Sequence, residues 1–355
     1  MSKNISIASH KGSYNVEFKD NWVDSLLTIS NDESIFIIDS NIAEIYKKDI
    51  EKILSSGRCL IINASEKNKS LDKFPEYVAS LVNLGVKRGN SLIAVGGGIT
   101  QDIVCFMATT MMRGLPWIFY PTTLLAQSDS CIGSKSSINS GEIKNILGTF
   151  SPPKKIILDV TLLKTLQDVD IHSGIGEMIK VHAIDSPKSF DKISNSFEKI
   201  VSDSDTMEKF IYDSLMIKKK LIEVDEFDMG PRNVMNYGHS FGHAIETATN
   251  YSIPHGIAVT IGMDMANYVA TQLGVTKKNH FERMHTVLDK NAKLFRNIVI
   301  DCNLLLDALT KDKKNTSTKL RLILPNEQGE IFIGLYDKSI ELDVSVRDYC
   351  KLFQV

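Results

Sequence analysis

"SLIAVGGGITQD", residues 91–102, carries an apolar run into three consecutive glycines and then into a helical pattern. A short apolar run closed by glycine reads as a buried strand. Glycines at that point let a backbone approach a phosphate, whose charge is met by free N–H groups at the start of the next helix. The spacing is not the G-x-G-x-x-G dinucleotide fingerprint, and as a bare motif it fits a structural tight turn equally well. Its surroundings decide the fold. "SIFIID" (34–39), "CLIINA" (59–64), "WIFYPTT" (117–123) and "KIILD" (155–159) are runs of the same kind, separated by helical patterns. Strands alternating with helices predict an α/β domain with a mainly parallel, Rossmann-like sheet covered on both faces.

Beyond residue 160 the pattern turns helical, over 161–183, 187–224, 234–250, 256–273 and 278–310, with a small strand pair at 319–334. An α/β domain over 1–160 and a mostly α-helical domain over 161–355 are therefore expected, with the active site in the cleft between them. Hydrophobic content of 43% and charged content of 24% are those of a soluble globular protein. A formal charge of −2 leaves no electrostatic footprint for nucleic acid. Five scattered cysteines without a C-x-x-C fit reduced, cytoplasmic usage better than a disulfide framework or a cysteine zinc site. No apolar run approaches the roughly 18 residues of a membrane span, and the N-terminus has no apolar leader. A cytoplasmic protein with neither a membrane nor a nucleic-acid partner is expected.

"NYGHSFGHAIETATNYSIPHG" (236–256) gathers three of the chain's eight histidines. His239 and His243 stand four apart on one helical face, a spacing used by helical zinc sites. Ser240, however, stands where the zinc-protease motif needs Glu, and half-buried helix histidines explain the spacing as well. "GEMIK" (176–180) sets Glu177 and Lys180 three apart, as a site or as a plain ion pair. "GSKSSINSGEIKN" (133–145) reads as a Gly/Ser-rich loop that offers Lys135, Lys144 and Asn145 to an anion or to solvent. Asp39 closes a strand, where a carboxylate can take ribose hydroxyls or cap the next helix.

Taken in order, these stretches resemble one family. "GGGITQD", "MMRGLPWIFYPTTLLAQSDSCIGSK", "KNILGTF", "SGIGEMIK" and "RNVMNYGHSFGHAIE", with a following "HG", make the chain similar to the 3-dehydroquinate synthases, within the sugar-phosphate cyclases, from about residue 39 to 334. The resemblance implies an NAD-binding N-terminal domain and a metal- and substrate-binding C-terminal one. It implies a catalytic Zn²⁺, replaceable by Co²⁺, on Glu177, His239 and His255, with His243 reaching substrate and not metal. The implied NAD⁺ site draws on Asp39, Asn41, Glu66, Lys69, Gly96, Gly97, Gly98, Asp102, Thr122, Thr123, Asp129, Ser130, Lys144 and Thr165. Catalytic duty falls by the same likeness to Asp129, Lys135, Lys180 and His243. Substrate contacts fall to Arg113, Asn145, Lys218, Arg232, Asn236 and Lys313 (or its neighbour Lys314), Arg113 reaching across a homodimer interface.

The implied reaction turns 3-deoxy-D-arabino-heptulosonate 7-phosphate into 3-dehydroquinate and phosphate, in the shikimate pathway to aromatic amino acids. NAD is regenerated, so the enzyme is a carbon–oxygen lyase with no net redox. Such a substrate carries a phosphate and a carboxylate, which the many cations would grip. Lys218 and Arg232 match carboxylate-recognition positions that relatives acting on neutral sugar phosphates tend to lack. Three residues depart from the pattern: Ser134 and Gln101 where glycines are usual, and Pro231 before Arg232. A specialised cyclase acting on another sugar phosphate is the main alternative. A metal-dependent glycerol-type dehydrogenase would not need Lys135, Lys144, Lys180 and Lys218, and an idle homologue would not need an intact ligand set.

Overall fold

The computed structural model describes residues 3–311 and 315–353. Its strands are β1 (Asn4–Ile7), β2 (Tyr14–Phe18), β3 (Ser34–Asp39), β4 (Cys59–Ile62), β5 (Ser91–Gly96), β6 (Trp117–Pro121), β7 (Lys135–Ser140), β8 (Ile143–Phe150) and β9 (Lys155–Leu158). A seven-stranded sheet runs β1-β2-β9-β6-β5-β3-β4, parallel except for the β1–β2 pair. The near-continuous apolar runs of β3 and β5 are what a parallel strand covered on both faces requires, and Ile35 to Ile38 and Leu92 to Val95 are all buried. On one face Phe36, Ile38, Val95 and Tyr120 pack with Trp22 and Leu26. Strand order reverses between β3 and β5, the switch point where doubly wound sheets bind ligands at their carboxyl ends. Asp39 and the glycine turn lie at those ends.

Within the expected α/β domain, two segments differ from the sequence reading. Residues 4–18 form the added β1–β2 edge, with short alternating burial. Residues 135–150, expected as a loop, form the antiparallel β7–β8 hairpin. Its serines and asparagines hide the alternation, in which Ser136 and Ile138 point inward, and Gly141, at φ +55°, makes the turn.

The chain divides into two compact units, Met1–Leu166 with Lys218–Phe227, and Gln167–Ile217 with Asp228–Val355. The second is mainly helical. Its helix His255–Gln272 is buried nearly all round, as expected of a core helix with no polar face. The expected 187–224 segment is three helices, Pro187–Asn195, Phe197–Ser202 and Ser204–Val224, and 278–310 is interrupted between Lys278–Ala292 and Cys302–Thr310. The strand pair is β10 (Lys319–Pro325) with β11 (Ile331–Asp337), and a final helix, Ile340–Phe353, follows it. Among the described residues no helix is long and apolar enough to cross a membrane.

Candidate functional site

In the second unit three helices bring one acid and two histidines together. Glu177 lies within Asp168–Asp185, while His239 and His255 open the helices His239–Ala248 and His255–Gln272. Glycines beside these residues permit the approach. A Cβ on Gly176 would overlap the Gly256 carbonyl oxygen, and a Cβ on Gly256 would overlap that of Ser173, so two helices touch backbone to backbone. Glu177 Oε1 is buried with no hydrogen-bond partner among the described residues. The Nε2 atoms of His255 and His239 face it at 3.5 and 3.8 Å. Ligand atoms sharing a tetrahedral zinc at ~2.0–2.1 Å would stand about 3.4 Å apart, so an orphaned carboxylate oxygen between two imidazole nitrogens fits a cation. The other Glu177 oxygen accepts from Lys180 Nζ, itself buried.

The electrostatics differ between the two histidines. Burial, reinforced by the charge of Lys180, holds the His239 pKa well below its usual value, so the ring is neutral. Burial works against protonation of His255 as well. There the hydrogen bond with Glu246 and the charges of Glu177 and Glu246 outweigh it, and the pKa is raised. His243 is exposed beside both rings, at centroid distances of 5.4 Å from His239 and 5.8 Å from His255. His243, Glu246 and His255 form a second grouping of metal-capable side chains.

The first unit holds a separate set. The Gly98–Thr110 helix starts at N-cap Gly97, which has no side chain to cap it, leaving its first N–H groups open. A Cβ on Gly97 would lie 2.9 Å from Thr123 Cγ2, and Thr122 N donates to Gly96 O at 2.9 Å. Asp39 accepts from Asn41 N at 2.9 Å, and burial raises its pKa against that bond. Lys69 Nζ joins Asn145 Oδ1 (2.8 Å), Asp102 Oδ2 (3.2 Å) and Glu66 Oε1 (3.4 Å) into one network. Lys218 Nζ lies 2.7 Å from Asp129 Oδ1 and donates to the Asp129 carbonyl at 2.6 Å. Asp129 rides on the π-helical turn Ala126–Ser130. Gln101 fastens that turn, with Nε2 donating to Ser130 O and Oε1 accepting from Ser130 Oγ, both at 2.7 Å.

The remaining predicted residues are more scattered. Lys135 and Lys144 are exposed on the β7–β8 hairpin. Arg113 is exposed on a turn where it and Met112 take φ of +66° and +52°. Arg232 is buried, Asn236 Nδ2 donates to Asn233 O at 3.0 Å, and Thr165 Oγ1 donates to Leu162 O at 3.1 Å. Lys313 and Lys314 lie outside the described residues. Two participants escaped the sequence reading, Glu246 and the clamping role of Gln101. Glu246 follows His239 by seven residues, two helical turns on the same face, which is the signal that could have found it.

Comparison with known proteins gives one family. Profiles described as 3-dehydroquinate synthase N-terminal and C-terminal match residues 59–173 and 174–315. A 3-dehydroquinate synthase of Clostridium perfringens is 36% identical over 296 residues, covering 83% of this chain and 84% of its own. Among solved structures, a 2-deoxy-scyllo-inosose synthase complexed with carbaglucose-6-phosphate, NAD⁺ and Co²⁺ superposes with a TM-score of 0.83 at 23% identity, over 98% of this chain and 100% of that one. ValA, a 2-epi-5-epi-valiolone synthase from Streptomyces hygroscopicus subsp. jinggangensis with NAD⁺ and Zn²⁺ bound, gives 0.85 at 22%, over 97% and 99%. At those identities the likeness to the two structures is one of fold.

Proposed function

The chain belongs to the 3-dehydroquinate synthase family, and on that premise we propose that it converts 3-deoxy-D-arabino-heptulosonate 7-phosphate to 3-dehydroquinate and phosphate, using NAD⁺ and a zinc or cobalt ion. The convergence of Glu177, His239 and His255 carries this reading. When bound, the metal supplies Lewis-acid polarisation of a substrate hydroxyl, and NAD⁺ a hydride acceptor that is restored within the cycle. The chain's own residues do the rest. Lys180 is held in place by Glu177 and Lys218 by Asp129, and these cations, with Arg232, answer the charges of a phosphorylated sugar acid. His243, exposed beside His239 and His255, is the residue proposed to reach substrate. Arg113, exposed, is the residue proposed to serve a partner subunit in a cytoplasmic homodimer.

The test is incubation with the heptulosonate phosphate, Zn²⁺ and substoichiometric NAD⁺. Phosphate should be released over many turnovers without NADH build-up, and chelation should stop it. NADH formed one for one with product would mean a dehydrogenase. The two solved structures of like fold are named as synthases of other compounds, which makes a substrate panel informative. Losing two charge-assisted contacts of roughly 1.5–3 kcal/mol each should cost sedoheptulose 7-phosphate at least about a hundredfold. Equal cyclisation of that sugar would identify a specialised cyclase instead.

A further inference from the structure

We propose that Glu246 is a positioning residue whose carboxylate fixes the His255 imidazole so that Nε2 is the atom presented beside Glu177. The proposal rests on the metal-site reading above.

The donors differ in what holds them still. Glu177 is fixed by burial and by Lys180. His239 is 13% exposed, and its Nδ1 lies 3.2 Å from the Tyr237 carbonyl oxygen. That oxygen can only accept, so Nδ1 carries the proton and Nε2 keeps its lone pair. His255 is 38% exposed and stands at the first position of its helix, so packing alone leaves its ring freer to rotate. What engages its far side is Glu246, with Oε1 3.2 Å from Nδ1 and a side chain only 14% exposed. A carboxylate, like the Tyr237 carbonyl, accepts at Nδ1 and leaves Nε2 toward Glu177 Oε1 at 3.5 Å. The two histidines are thus oriented alike by different means, one through backbone and one through Glu246. An acceptor behind a ligating histidine sets its tautomer and orientation, and removing such a partner typically lowers metal affinity about 10–100-fold.

The experiment measures Zn²⁺ affinity and stoichiometry by competition with a chromophoric chelator, on metal-stripped wild type, Glu246→Ala and Glu246→Gln. Melting of each stripped protein is recorded in parallel. Glu246→Ala should bind one zinc about 10–100-fold more weakly. Glu246→Gln, whose amide oxygen still accepts from Nδ1–H, should recover most of the loss. Nitrogen NMR of the stripped protein at pH 8 should show His255 protonated at Nδ1 in wild type and as a tautomer mixture in Glu246→Ala. Unchanged affinity in Glu246→Ala overturns the proposal. So does a Gln variant as weak as Ala, or a wild type binding two ions of which Glu246→Gln loses one, because Glu246 would then be a ligand. Should Glu246→Ala fail to fold, the Gln comparison and the wild-type tautomer still decide. A wild type that binds no metal would instead remove the metal-site reading itself.

Discussion

His182 is 1% exposed, with Nδ1 2.8 Å from Ser189 Oγ and with Nε2 lacking a hydrogen-bond partner among the described residues. Burial, its largest influence, brings the pKa down to about 4, against the opposing charge of Asp213. The buried His280 is lowered to about 4 as well, by burial and then by Arg283. A histidine whose folded pKa lies below its unfolded value of ~6.5 stays neutral in the native state while the unfolded chain takes up a proton. The unfolded state binds more protons between those two values, so stability is complete above about pH 6.5 and falls as pH drops toward 4. Each such group should cost at most about 3 kcal/mol across that window. Urea unfolding of the metal-free protein at pH 7, 5.5 and 4.5 should show this loss. His182→Leu should make the slope shallower, leaving the parts due to His280 and to the similarly depressed His239. A slope identical to wild type would show that His182 is solvated or protonated in the native state.

At the level of elements, the turn Ala126–Ser130 and the helix Gly98–Thr110 are joined by the paired Gln101–Ser130 hydrogen bonds. Gln101 is 4% exposed and Ser130 half-buried, so truncating Gln101 loses two hydrogen bonds, each worth about 0.5–1.5 kcal/mol. Gln101→Ala should lower chemical-denaturation stability by about that much, and it should loosen the turn that carries Asp129 against Lys218. Gln101→Glu should be at least as destabilising, since it turns a carboxylate oxygen toward the Ser130 carbonyl where a donor stood. An alanine variant as stable as wild type would mean the turn is held by its own backbone. The departure from glycine at this position was visible in the sequence, but its partner, 29 residues on, was not. The same limit applied elsewhere. Strands buried on both faces announced themselves as apolar runs, whereas β7–β8 stayed hidden because its inward positions include Ser136 and Asn139. Glu177 and His255 lie 78 residues apart, and no local periodicity joins them. Family likeness nominated that set, and the spacing of His239 and His243 alone pointed to a different pair.

Across the whole molecule the candidate ligand sets separate by unit. Glu177, His239, His255 and the supporting Glu246 all belong to Gln167–Ile217 and Asp228–Val355. Every residue proposed for NAD⁺, from Asp39 to Thr165, belongs to Met1–Leu166. A ligand stabilises the structure that forms its site by RT ln(1 + [L]/Kd), about 2.7 kcal/mol at a hundredfold excess over Kd. Amide hydrogens that exchange only through opening of that structure slow by the same factor, about a hundredfold, while regions that open independently are unaffected. Hydrogen exchange on the stripped protein should therefore respond differently to each ligand. Zn²⁺ should protect peptides from the Asp168–Asp185, His239–Ala248 and His255–Gln272 helices and leave β3 and β5 unchanged. NAD⁺ alone should protect the ends of β3 and β5, the start of the Gly98–Thr110 helix and the Ala126–Ser130 turn, if the glycine turn is the phosphate site proposed for it. Protection by NAD⁺ confined to the helical unit would overturn the cofactor assignment at the glycine turn. Zinc protection spread evenly through both units would mean that they open as one cooperative body.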